Sequence, residues 1–255
     1  MAARIGIEEA AARDGVRLIL LAGFPSPWSV AAKAIFDIKR IPYVRAQQMP
    51  SDPPDALQRV TGQASHPAVL YEKERPRSGW AEILLLAERL APEPALVPAA
   101  ARERALFFGF AHEICGEEGL GWNVRHLMVH TGMQSTPQNP ISGYLAAKYG
   151  YSREAAAAAP ARVKALLRML SAQLQSSRAR GDGYLLGPSL SAVDLYWAAF
   201  SNLLVMQPPE QCPVPERMRA MFGPMPPEIL DALDPALLAH RDFVFAKHIG
   251  LPLEL

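Results

Sequence analysis

"VRLILLAGFPSPWSVAAKAIFDIKRIPY" (residues 16–43) changes character twice within 28 residues. The apolar run 16–22 stops at Gly23 and reads as a buried strand. Two prolines then flank one serine, Pro25-Ser26-Pro27. From Trp28 the apolar positions Ala31, Ala34, Ile35, Ile38 and Ile41 keep helical spacing until Pro42 ends the helix. Residues 43–49, "YVRAQQM", fit a second strand. Strand, helix and strand in this order predict a right-handed βαβ unit with a parallel strand pair.

Working outward, residues 51–62 fit a short capped helix or turn, and "HPAVLYE" (66–72) fits a third strand entered through a proline. "KERPRS" (73–78) reads as a hairpin and edge strand, the place in a sheet that tolerates Pro76. "GWAEILLLAERL" (79–90) is strongly helical. The first 90 residues are therefore a small α/β layer. "APEPALVPAA" (91–100) has three prolines and no periodicity, and reads as a linker. Beyond it the pattern is helix and loop only. Leu106, Phe107, Phe110 and Ile114 share a face over 101–118, and residues 119–133 continue that helix or begin another. Residues 152–178 form one or two helices interrupted near Pro160, with Val163, Leu166, Leu167, Leu170 and Leu174 as the buried stripe. A long turn over 179–190 precedes a very apolar helix over 192–206, and two further helices lie in the tail. The expected organisation is a polar extension over 1–15, an α/β domain over 16–91, a linker over 92–100 and an all-helical domain over 101–255.

Composition excludes several functions. Half of the 255 residues are hydrophobic, and 26 basic against 25 acidic residues leave a formal charge of +1. That balance gives no electrostatic basis for binding nucleic acid or an anionic membrane. No apolar run is long enough for a membrane span. The first fifteen residues carry acids and lack an apolar core, so no secretory signal is expected. Two cysteines, Cys115 and Cys212, are too few for a disulfide framework. A reducing cytoplasmic compartment is the expectation.

Four segments together resemble the cytosolic glutathione S-transferase superfamily. "SPWSVAAKAIFDIKRIPY" (26–43) is similar to the family's opening, where a Ser, Cys or Tyr precedes the first helix. "SHPAVL" (65–70) resembles a segment with a cis proline, here Pro67, preceded by a residue, here His66, that offers its backbone to the cysteine of glutathione. "RSGWAEILLLAERL" (77–90) resembles the helix start that grips the γ-glutamyl end, with Ser78 and Gly79 in the places of an acid and a serine. The acid is missing from this pattern, although helix-start amides still suit a carboxylate. "YLLGPSLSAVDLYWAAF" (184–200) resembles the signature of the helical domain. There Ser191 and Asp194 form a capping box, with Leu190 placed to staple against Leu195. The resemblance implies a thioredoxin-like α/β domain followed by an all-α helical bundle. It also implies glutathione as co-substrate, no metal, and a homodimer.

For Ser26 two readings are compatible. With Pro27 at the first helical position it is a natural N-cap. A helix start also stabilises an anion, so a hydroxyl there suits the thiolate of glutathione. The resemblance makes Ser26 the catalytic residue, with Ser29 as the back-up hydroxyl one turn along. It assigns Ser26, Trp28, His66, Pro67, Ser78 and Gly79 to glutathione. No cysteine stands at the Ser26 position, which argues against dithiol or monothiol redox work. "FAHEICGEEGLGWNVRHLMVH" (110–130) corresponds to the region that lines the second substrate's site, with His112, Cys115, Trp122 and Arg125 as candidates. The plainer reading makes Cys115 a core thiol and the charged residues a solvated face. His126 and His130 share i,i+4 spacing, but without the Glu of H-E-x-x-H or a third ligand they do not predict a metal site. The implied activity is attack of the glutathione thiolate on a small hydrophobic or aromatic electrophile. Glutathione-dependent isomerisation or cleavage of an ether or halide is the enzymatic alternative, and a non-catalytic binding protein of the same fold is the other.

Overall fold

The computed structural model describes residues 4–49, 51–135, 141–220, 222, 223 and 225–255. The chain divides into two compact units, Met1–Leu96 with Glu254–Leu255, and Val97–Leu253.

In the first unit α1 (Ile7–Ala11) precedes β1 (Val16–Ile19), α2 (Pro27–Ile38), β2 (Tyr43–Ala46), α3 (Ala56–Thr61), β3 (Ala68–Tyr71) and α4 (Trp80–Leu90). The sheet order is β2-β1-β3. β1 runs parallel to β2, with Ile19 opposite Ala46, and antiparallel to β3, with Ile19 opposite Ala68. As the central strand, β1 is buried along its whole length, which explains why, apart from Arg17, it reads as apolar sequence rather than alternation. The expected fourth strand shrinks to one bridge, in which Val69 and Arg77 exchange backbone bonds of 2.7 and 2.9 Å. Pro76 falls at the adjacent non-hydrogen-bonded position, where its missing N–H costs this bridge nothing.

Residues 1–15 are not simply a polar extension. Ile7 and Ala10 are fully buried in a cluster with Ile19, Ala46, Ala68 and Leu70 and with Ala56 and Leu57 of α3. Asp52 holds the start of α1, accepting from the amides of Ile7 at 3.0 Å and Met49 at 2.9 Å. The helix escapes a reading of the sequence because only two of its five residues face inward. α2 packs against α4, and buried Lys39 ties their far ends together. Its ammonium pairs with Glu88 at 2.6 Å and donates to the carbonyls of Ala91 and Pro94 at 2.7 and 2.9 Å.

The second unit is helical. It contains α5 (Ala101–Cys115), α6 (Leu120–Gln134), α7 (Ser142–Tyr149), α8 (Arg153–Ala179), α9 (Ala192–Ser201), α10 (Glu216–Ala220), α11 (Pro227–Leu230) and α12 (Pro235–Val244), which ends in a π-helical turn (Phe245–Ile249). α9 is the axis, since every residue in it is buried. α5 and α12 pack on α9, while α6 packs on α7 and α8. The predicted stripe of α8, from Val163 to Leu174, is buried as expected, but the helix runs unbroken through Pro160. The capping box at Ser191 is present, and Asp194 does more than cap. Its carboxylate accepts from the Ser191 amide at 3.0 Å, the Ser191 hydroxyl, the Leu185 amide and His240 Nε2, the last three all at 2.8 Å. Among the described residues, no helix is long and apolar enough to cross a membrane.

Candidate functional site

Strand register brings the first-unit candidates to one end of the sheet. β1 ends at Ile19, opposite the start of β3 at Ala68. The loop from β1 to Ser26 and the cis His66–Pro67 peptide that leads into β3 therefore emerge side by side. Arg77 bridges Val69 in the antiparallel sense, so Ser78 and Gly79 leave the sheet edge toward that same end. The three segments leave the sheet at one end although they are some forty and twelve residues apart in sequence.

Ser26 is the N-cap of α2 by position, and it is buried. Its backbone is extended and its carbonyl accepts the first helical bond, from Val30 at 2.9 Å. Its side chain makes no cap bond. The cap expected from the Ser-Pro pair is thus a cap of position only, and the hydroxyl stays available to a partner that is not its own helix. Ser29 is also buried, and its Oγ has no hydrogen-bond partner among the described residues. Trp28 is half-buried at the first turn. No acidic residue lies in the first turn of α2, so nothing local neutralises the positive end of the helix dipole.

At the start of α4, Gly79 is exposed and Ser78 half-buried. The acid missing from positions 77–79 is present in space as Glu82. One carboxylate oxygen accepts from the Gly79 amide at 3.3 Å and the other from Arg75 at 2.7 Å. Burial alone would push this carboxyl up, but the Arg75 bond and the amides of Gly79 and Ser78 outweigh it and hold it below its ordinary value. Glu three residues after an N-cap is the sequence signal that would have found it.

The second-unit candidates separate into two groups. Cys115 is a core residue, 2 % exposed, and burial pushes its thiol well above the ordinary range. His112, one turn earlier, is exposed. Trp122 and Arg125 belong to another cluster, built by α6 and α7. Trp122 donates to the Tyr149 carbonyl at 3.1 Å and meets the Tyr149 ring edge-on at 4.8 Å between centroids. Arg125 is 4 % exposed, with its guanidinium 5.9 Å from the centre of the Phe222 ring. His126 is buried with Nδ1 unpartnered among the described residues, and burial lowers its affinity for a proton. His130 is committed elsewhere, with Nδ1 on the Tyr151 hydroxyl at 2.8 Å and Nε2 on Gln134 at 2.9 Å. Among the described residues, no group of three or more His, Cys, Asp or Glu side chains is placed to hold a metal ion. The sequence reading did not foresee Lys148, Tyr149 or Phe222 in this cluster.

Known structures share the fold over nearly the whole chain. The beta-etherase LigF from Sphingobium sp. strain SYK-6 superposes with a TM-score of 0.64 at 18% identity, covering 92% of this chain and 96% of that one. The chain has the glutathione transferase fold. A glutathione S-transferase from Methylobacterium radiotolerans, in complex with glutathione sulfonate, matches at a TM-score of 0.58 and 17% identity, with 92% of each chain covered. Glutathione transferase Omega 3C from Trametes versicolor gives 0.58 at 16% identity, covering 95% of this chain and 85% of that one. No protein-family model and no curated protein matches the sequence. The glutathione transferase fold is thus kept here at identities that fix architecture and leave reaction chemistry open.

Proposed function

We propose that the protein binds glutathione at the end of the sheet where Ser26, His66–Pro67 and Ser78–Gly79 converge, and activates its thiol for attack on a small hydrophobic or aromatic electrophile. The observation that carries the reading is Ser26. It is a buried hydroxyl at a helix start, and it makes no bond to its own helix. A hydroxyl so placed donates to a thiolate, and the helix dipole adds to the stabilisation. A free thiol has a pKa of roughly 8.5, and lowering it by about two units corresponds to ~2.7 kcal/mol of thiolate stabilisation. One charge-assisted hydrogen bond and a helix start supply energies of this order.

In the proposed reaction the glutathione sulfur bonds to the electrophilic carbon and the leaving group departs with the electron pair of its broken bond. The thiol proton passes to solvent. Ser26 holds the sulfur, and His66 offers its backbone groups to the cysteine of glutathione beside Pro67. Trp28 flanks the peptide. The start of α4 receives the γ-glutamyl end at Ser78 and Gly79, where Glu82, held in place by Arg75 and the amides of those two residues, supplies the carboxylate that an ammonium group needs. Ether cleavage is the second reading, favoured by the likeness to a beta-etherase. The carbon–sulfur bond then forms as a phenolate leaves and takes up a proton. A homodimer in a reducing, cytoplasmic setting completes the proposal, and two buried cysteines outside any disulfide are consistent with that setting.

The test is the ultraviolet absorbance of the thiolate in enzyme-bound glutathione, followed against pH. A midpoint near 6.5, about two units below the free thiol, is the expected result. Binding with an unperturbed midpoint would make the protein a non-catalytic binder, and no binding at all would end the reading.

A further inference from the structure

Five cations are buried among the described residues: Arg17, Lys39, Arg45, Arg125 and Arg241. Four of them reach oxygen that offsets their charge. Arg17 donates to the carbonyls of Gly15 and Glu72, and Lys39 to Glu88 and two carbonyls. Arg45 lies 3.8 Å from Glu254, while Arg241 bonds Asp242 and the Val205 carbonyl. Arg125 is the exception. Its contacts are the sulfur of Met128 at 3.3 Å, the Tyr149 hydroxyl and the face of Phe222, and its Nε has no partner. No carboxylate or carbonyl pairs with it among the described residues.

The sequence explains the deficit. No Asp or Glu occurs between Glu118 and Glu154, a stretch that holds all of α6 and α7. The same stretch supplies a second cation, half-buried Lys148, whose ammonium lies 5.8 Å from the ring centres of both Tyr144 and Tyr149. Burial and the charge of Arg125 both make Lys148 a weaker base. A buried guanidinium without an anion costs several kcal/mol of desolvation, and a second cation nearby adds repulsion. An anion bound beside them would offset both costs. Phe222 faces Arg125 and the rings of Tyr144 and Tyr149 face Lys148, with Trp122 packed on Tyr149 and Tyr144 53 % exposed.

We propose that Arg125, assisted by Lys148, is the anion subsite of the helical unit and receives the carboxylate of an aromatic second substrate. Arg125 supplies the planar fork that matches a carboxylate, and Lys148 adds a point charge at the more exposed side. The aromatic body stacks among Trp122, Tyr149 and Phe222. The identity of this ligand as a substrate rests on the transferase reading, whereas the anion preference does not.

The experiment pairs an acid with its neutral counterpart on the full-length protein. Calorimetric titration with dinitrobenzoate and dinitrobenzamide, without glutathione, is expected to show the acid binding at least tenfold more tightly. Arg125→Met is expected to abolish that preference while circular dichroism stays native, and Arg125→Lys to keep part of it. Lys148→Met is expected to reduce it a few-fold. Equal affinities in the wild-type protein would overturn the inference even if no variant folds, as would a preference that survives in Arg125→Met. Turnover of a chlorodinitrobenzoate against the matching benzamide with glutathione separates the two proposals. Equal turnover alongside a lowered glutathione thiol pKa leaves the transferase reading standing and removes this one. Arg125-dependent binding of the acid without glutathione activation does the reverse.

Discussion

At the scale of single residues the decisive atom is Ser26 Oγ. A Ser-Pro pair at a helix start suggests a cap whose loss costs ~1 kcal/mol. Because the side chain makes no cap bond, Ser26→Ala should lower stability by well under that amount, measured by chemical denaturation. The same variant should cut glutathione-dependent turnover at least tenfold. Loss of stability without loss of turnover would return Ser26 to a purely structural role. Ser29→Ala is the control, since its buried hydroxyl bonds nothing among the described residues. It should be neutral or slightly stabilising, because burying an unpaired hydroxyl is unfavourable. Cys115 shows how far a sequence resolves a residue. Its place in an apolar helix supports both a core thiol and a pocket thiol. The structure places it in the core, 2 % exposed, with its proton held firmly by burial. It should therefore react with an alkylating reagent only as the protein unfolds.

At the scale of elements, α4 and α9 start with acids that do different work. Glu82 is partly exposed, and its carboxyl is held below its ordinary value despite burial by Arg75 and two backbone amides. A group whose pKa is depressed on folding stabilises above its unfolded value, about 4.3 for Glu, and that contribution is lost as pH falls through the lower folded value. Glu82→Gln should then cost about 0.5 kcal/mol at neutral pH, the scale of an exposed pair at a helix terminus. The deficit should begin to shrink as denaturation curves are taken below about pH 4.3 and vanish only at a pH below the depressed folded value. If Glu82 also receives the γ-glutamyl ammonium, the variant should bind glutathione more weakly at neutral pH. Asp194 is the opposite case, fully buried and accepting four hydrogen bonds that join the Leu185 turn, the start of α9 and His240 of α12. Asp194→Ala strands those donors and should cost about 3 kcal/mol or more, read as a lowered denaturation midpoint. The capping box was legible because S-x-x-D before an apolar run is a local pattern. Its bond to His240, 46 residues away, has no local trace. Pro160 misled for a related reason. Proline removes one helix bond and usually breaks the element, yet α8 continues because its buried stripe on both sides of Pro160, from Ala156 to Leu174, outweighs that loss.

At the scale of the whole molecule, the sequence carried the two architectures well. Strand–helix alternation before Leu90 and helical periodicity after Ala101 are both short-range signals. It carried the assembly of the proposed glutathione site only through resemblance, because strand register rather than spacing brings the segments of Ser26, His66 and Gly79 to one end of the sheet. The cation cluster was legible as composition, an acid-free stretch from 119 to 153, but its burial was not. Association between chains lies further still from local pattern. The resemblance implies a homodimer joined across the two domains, and each unit has a helix that offers a leucine to solvent. Leu85 of α4 is 39 % exposed and Leu106 of α5 is 51 % exposed. A leucine buried at an interface contributes roughly 1.5–3 kcal/mol, and a glutamate in its place leaves an unpaired charge as the surfaces close. Neither Leu85→Glu nor Leu106→Glu replaces a residue of the proposed glutathione site. In a dimer built on these helices, each should shift the mass seen by sedimentation toward that of one chain, and the double variant should complete the shift. Far-ultraviolet circular dichroism should stay native throughout, because both side chains already face water within one chain. A wild-type protein that sediments as a single chain at micromolar concentration, or a double variant that remains paired, would remove α4 and α5 as the joint.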